Sequence, residues 1–175
     1  MATHRYFKTA QGRELAYHHS EGTGPAIVFL SGFKSDMQGT KAVHLEAWAR
    51  RSGRAFLRFD YSGHGQSSGA FTDGCISDWS EDAVAAVTHL IDGPVILVGS
   101  SMGGWIALLL AQRLEQTKVA GMVTVAAAPD FTEDSMWVGF DDAERSDLQR
   151  FGQVVLPSDY DEPYVITRRL IEDGR

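Results

Sequence analysis

The sequence is poor in cysteine, in long apolar runs and in positive charge, and each shortage excludes something. A single cysteine, Cys75, cannot close an internal disulfide, so the chain is not stapled by oxidation and fits a reducing compartment. The longest apolar stretches, Trp105–Ala111 and Val119–Ala128 with Thr124 as its one polar interruption, fall well short of the ~18 residues that a membrane-spanning helix needs. Met1 to His19 alternates polar and apolar residues, unlike a secretory signal peptide. Sixteen Lys and Arg stand against 23 Asp and Glu, a net charge of −7, and no run of basic residues offers a footprint for a phosphate backbone. These features point away from nucleic acid and membrane partners and toward a soluble, cytoplasmic protein. Its 175 residues, 43% apolar and 22% charged, suit one globular domain.

The order of elements narrows the fold. Arg5–Thr9 and Glu14–His19 flank a turn containing Gly12, which predicts an antiparallel hairpin. Ala26–Leu30, Ala55–Phe59, Val95–Val98 and Val119–Val125 are short apolar runs of the kind buried on both faces of a parallel sheet. Helical patterns separate them, over Lys41–Arg51, over Asp78–Leu90 with the capping signature Asp78-x-x-Glu81, and over Met102–Glu115. Strand alternating with helix at this spacing predicts βαβ units, hence an α/β fold with helices on both faces of a mostly parallel sheet. The composition then shifts. Between Asp130 and Asp147, Asp130, Glu133, Asp134, Asp141, Asp142, Glu144 and Asp147 face a lone Arg145. With Phe131, Trp137, Phe140, Phe151, Tyr160 and Tyr164 nearby and no strand-like alternation, this stretch reads as a lid of short helices, or as a solvated acidic loop.

Chemistry concentrates at Gly99-Ser100-Ser101-Met102-Gly103, a G-x-S-x-G between a strand and a helix. A serine at such a turn is held in a strained backbone that lifts its hydroxyl clear of the sheet, which makes Ser101 the candidate nucleophile. The turn also opens a helix, so the N–H of Met102 can donate to an oxyanion; a second donor, the N–H of Phe33, is assigned to the loop after Leu30. Trp105 stands where a phosphate-binding loop would place its lysine, no G-x-G-x-x-G follows a strand, and no histidine or cysteine spacing suits a metal. The sequence thus calls for no cofactor and no metal.

Three segments, Gly32-Phe-Lys-Ser-Asp-Met37, Arg58-Phe-Asp-Tyr-Ser-Gly-His-Gly-Gln-Ser67 and Gly99-Ser-Ser-Met-Gly-Gly-Trp105, resemble the α/β-hydrolase superfamily. The first and third are similar to the branch holding the abhydrolase-domain acyl-protein thioesterase and acyl-glucuronide esterase. The resemblance implies a hydrolase core over residues 1–128 with a cap over 129–175. It implies an ester or thioester hydrolase acting on a small-molecule or acylated-protein substrate, and a structural role for His64 in the loop that floors the site. The family's triad runs serine, acid, histidine along the chain. All six histidines here, His4, His18, His19, His44, His64 and His89, precede Ser101. The family also closes its sheet with two further strands. The expectation is therefore a truncated, nearly inactive chain whose sheet ends at Val119–Val125, an open edge that could pair with a second copy. Asp130, just past that strand, is the candidate acid. A non-catalytic binding module on the same fold is the alternative reading.

Overall fold

The computed structural model describes residues 4–157 and 163–175. Strands β1 (Arg5–Lys8) and β2 (Glu14–Ser20) form the expected hairpin, and β2 continues antiparallel onto β4 (Arg54–Phe59). From there the sheet is parallel. β3 (Thr23–Leu30) lies between β4 and β5 (Val95–Ser100), and β5 pairs with β6 (Val119–Val125), giving the order β1-β2-β4-β3-β5-β6. Consecutive side chains of a strand point to opposite faces, and the core divides accordingly. Ile27, Phe29, Phe56 and Val98 pack on Ala42 and Ala49 of helix α1 (Thr40–Arg51). Val28, Leu30, Leu57 and Leu97 pack on Trp79 and Val87 of α2 (Ile76–Leu90) and on Ile106 and Leu110 of α3 (Met102–Arg113).

Helix α2 starts at Ile76 with Cys75 as its N-cap, and not at the Asp78-x-x-Glu81 signature. Both acids are drawn away by a cation instead: Asp78 and Glu81 contact Arg13 at 3.5 and 3.1 Å, and Asp78 also holds Arg169 at 2.7 Å. The free N–H of Ser77 donates to the Asp173 carboxylate at 2.8 Å, so a residue 96 positions away supplies the cap.

The acidic stretch after β6 is structured. A π-wound turn (Thr132–Trp137) leads to α4 (Asp142–Phe151), where Asp141 and Glu144 cap the helix reciprocally through two 2.8 Å bonds. Part of the acidic run is thus helix-start chemistry, favourable against the helix dipole. The expectation of helices alone is corrected by a two-stranded antiparallel ribbon, β7 (Gln153–Leu156) with β8 (Tyr164–Thr167). Val154 and Ile166, paired across it, are buried, while Val155 is exposed, so each strand is too short for its alternation to register. The helix-like 165–174 segment likewise divides into β8 and α5 (Arg168–Asp173). Tyr160 lies outside the described residues. No helix among the described residues is long and apolar enough to cross a membrane.

Candidate active site

Parallel register brings three loops to one end of the sheet. Leu30 pairs with Gly99, and Ser100 with Val125, so the segments that follow β3, β5 and β6 emerge side by side, where open α/β sheets build their binding sites. Ser101 sits at the first bend of the middle segment with φ 54° and ψ −120°, a conformation that L residues seldom adopt. Its backbone is tied on both sides, N–H donating to Val125 at 3.0 Å and carbonyl accepting from Gly104 at 2.8 Å and Ala128 at 3.2 Å. Glycine is required on the inner side of the turn, because a Cβ on Gly103 would overlap the Leu30 carbonyl. The Ser101 side is exposed, whereas Ser100 is buried.

The loop after β3 lies against this bend. A methyl group built on Gly32 would stand 3.4 Å from Ser101 Cβ and 4.0 Å from its Oγ. Among the described residues, neither the Phe33 nor the Met102 N–H has a protein acceptor. A cavity of about 270 Å³ opens beside Ser101, lined by Gly32, Phe33, Asp36 and Lys41 among others. The loop is held from below by two residues of the Arg58–Ser67 motif. Asp60 accepts the Met37 N–H at 2.6 Å and the Gln66 N–H at 2.9 Å, and Arg58 donates to the Met37 carbonyl at 2.6 Å while its Nε meets Glu46 at 2.9 Å. Burial pushes the Asp60 carboxyl up, against the two backbone donors that pull it down. Glu46 is drawn the other way: burial alone would raise it, but Ser20 and Arg58 together hold it below the ordinary range.

Three of the histidines are engaged elsewhere. His18 meets Glu46 at 2.6 Å and His89 stacks on Phe7. His64 is buried in a cage of Tyr61, Phe71 and Trp79, its Nδ1 3.2 Å from the Ser62 carbonyl. Burial lowers its pKa to about 4, which keeps it neutral. Among the described residues, no imidazole hydrogen-bonds Ser101 Oγ. Asp130 is exposed at φ 54°, and its carbonyl accepts from Glu133 and Asp134 to start the π-wound turn.

Sequence reasoning missed the surroundings of Phe33. Its ring stands edge-on or tilted to Phe71, Trp79, Phe131 and Tyr164, at centroid distances of 5.0 to 6.2 Å. These four come from distant segments, and no local pattern joins them.

Residues 25–169 match the family described as alpha/beta hydrolase fold. The chain belongs to this family. Within the alpha/beta hydrolases it is 34% identical over 157 residues to the rat palmitoyl-protein thioesterase ABHD10, mitochondrial, covering 90% of this chain and 52% of that protein. A solved structure from Agrobacterium vitis S4 superposes with a TM-score of 0.91 at 40% identity, covering 99% of this chain and 71% of that one. The mouse alpha/beta hydrolase domain-containing protein 10 gives 0.86 at 31% identity, covering 99% and 69%. This chain therefore spans about half the length of the curated hydrolase it matches. The expectation of a cytoplasmic protein is overturned by the rat palmitoyl-protein thioesterase, whose name places that relative in mitochondria. Net charge, the single cysteine and the apolar patterning, on which that expectation rested, do not specify a compartment.

Proposed function

We propose that this hydrolase cleaves carboxylic esters or thioesters through an acyl-enzyme on Ser101. The observation that carries the reading is the strained Ser101 beside two backbone N–H groups, those of Phe33 and Met102, that have no acceptor among the described residues. Ser101 Oγ attacks the acyl carbon and gives up its proton to a base. The carbonyl oxygen becomes an oxyanion between the two N–H groups. The C–O or C–S bond then breaks, the alcohol or thiol leaves with a proton, and water repeats the attack to release the carboxylic acid. The family order and the engaged histidines favour a base supplied by residues outside these 175, where the relatives have further sequence. Asp130, two residues beyond the Ala128 whose N–H bonds the Ser101 carbonyl, is the candidate acid within the chain. Residues 129–175 act as a cap over the core of residues 1–128, and the aromatic residues they bring to Phe33 suit an apolar acyl group. An acylated protein is the substrate class that the thioesterase relative supports.

Labelling with a fluorophosphonate probe tests the nucleophile. The 175-residue protein, a version carrying any further natural sequence, and Ser101→Ala forms of both are compared. Labelling of the longer form that vanishes in Ser101→Ala, with little on the shorter, is expected. Well-folded proteins that all stay unlabelled would overturn the hydrolase reading in favour of a non-catalytic binding module.

A further inference from the structure

We propose that Lys34 is a positioning residue that pins the loop presenting the Phe33 N–H, an inference that rests on the oxyanion role given to Phe33 above. Lys34 is exposed and takes φ 49°, a backbone conformation that glycine or asparagine adopts at lower cost. What a lysine adds at that point is a long stem ending in a cation. The ammonium stands 5.3 Å from the centroid of the Phe71 ring and 5.1 Å from that of Tyr164, within the reach of cation–π attraction to each. These two rings also pack on Phe33, at 5.0 and 6.2 Å.

The contacts therefore close a circuit. Phe33 and Lys34, neighbours in one loop, each touch the same two rings, one through its own ring and the other through its charge. Phe71 belongs to a 3₁₀ turn that follows the Arg58–Ser67 motif, and Tyr164 opens β8 in the cap segment. A loop gripped at two successive residues by the same two partners cannot rotate about its axis without breaking one grip. Rotation is the motion that would swing the Phe33 N–H away from Ser101, and an oxyanion donor loses its value once displaced by a few tenths of an ångström. Below the loop, Asp60 and Arg58 hold Met37; Lys34 supplies the corresponding hold from above, and through Tyr164 it makes the placement of the donor depend on the cap.

The test compares wild type with Lys34→Gln, which keeps much of the stem and removes the charge, with Lys34→Arg, which keeps a cation, and with Tyr164→Leu, which removes one ring. Amide hydrogen exchange of residues 32–36 is read by mass spectrometry, with exchange of β4 and α2 as the internal standard. Tyr164→Leu should speed exchange of the loop about fivefold, the equivalent of one exposed cation–π contact, and Lys34→Gln, which loses two, by at least as much, with β4 and α2 unchanged and Lys34→Arg close to wild type. Wild-type exchange in Lys34→Gln, or an equally fast loop in Lys34→Arg, would overturn the proposal. The phosphonate labelling rate of Ser101 in the longest active form should fall by a similar factor in Lys34→Gln and recover in Lys34→Arg. A loop that loosens while labelling holds also overturns it, because the donor then does not depend on Lys34. Should wild type itself stay unlabelled, the nucleophile reading fails on its own, and the exchange comparison still decides whether Lys34 holds the loop.

Discussion

Asp60 and Met37, far apart in the sequence, are joined by a 2.6 Å hydrogen bond from the Met37 N–H to the Asp60 carboxylate, with both residues buried. The second carboxylate oxygen takes the Gln66 N–H at 2.9 Å. Asp60→Ala leaves the Met37 N–H without a partner in the interior, while the Gln66 N–H can turn to water, and should cost about 2 kcal/mol in urea unfolding, at 1–3 kcal/mol for a buried unsatisfied group. Ser101 labelling should fall with it, because the loop that carries Phe33 runs directly into Met37. A variant as stable as wild type would show that the loop is held by Arg58 alone.

Strain at Ser101 gives a prediction of opposite sign. Glycine accepts φ 54° and ψ −120° without steric penalty, so Ser101→Gly should raise the stability of the protein by about 1 kcal/mol while abolishing phosphonate labelling. Ser101→Ala loses the labelling but retains a Cβ and hence the strain. Thermal melts of the two variants check this: equal midpoints would mean that the backbone there is not strained.

Arg13 reaches the wholly buried Asp82 at 2.6 Å, while the N–H and hydroxyl of Ser62 donate to the other oxygen of that carboxylate at 2.8 and 2.6 Å. Burial pushes the Asp82 carboxyl up, and Ser62 and Arg13 oppose the rise. Arg13→Met strands a buried charge and should cost about 3 kcal/mol at neutral pH. Part of that loss should return under mild acid, where Asp82 takes up a proton. Urea midpoints at two pH values would show it, and a deficit independent of pH would rule out Asp82 as its origin.

His64 sets a pH dependence. In the folded protein it titrates near pH 4 because it is buried, whereas the unfolded chain takes up its proton near the ordinary 6.5. Below that value the unfolded state binds the proton first, so this contribution to stability is complete above about pH 6.5 and is lost as the pH falls toward 4. The loss reaches at most about 1.4 kcal/mol per pH unit and about 3 kcal/mol in total. His64→Phe keeps an aromatic ring in the cage of Tyr61, Phe71 and Trp79 and should flatten the profile between pH 7 and 4.5. Parallel profiles for the two proteins would refute the assignment.

The parts of this architecture that are written locally were legible in the sequence. β3 and β5 are continuous apolar runs because both faces are covered, and the Gly99–Gly103 turn announces itself because a Cβ at Gly103 has nowhere to go; β6 is equally apolar, yet at the edge of the sheet Val123 and Val125 are exposed, against the expectation of burial on both faces. What escaped reading depends on partners distant in the chain. Asp78 looked like a helix cap until Arg13 and Arg169 claimed it, and the real acceptor for the first turn of α2 came from Asp173. The ribbon of β7 and β8 has four residues per strand, too few for a period of two to stand out. The rings around Phe33 belong to four segments, and only the folded chain shows that Lys34 lies across two of them.

Cys75 is buried, its Sγ donating to Asp78 Oδ2 at 3.2 Å, and burial pushes the thiol up to about 12. Near neutral pH the reactive thiolate is then a very small fraction of the molecules. To maleimides and other thiol reagents the native protein is blank. A cysteine installed at Val138, 65% exposed on the stretch between Trp137 and α4, would be the sole site to take a dye or spin label, and the movements of that stretch could be followed without first deleting anything.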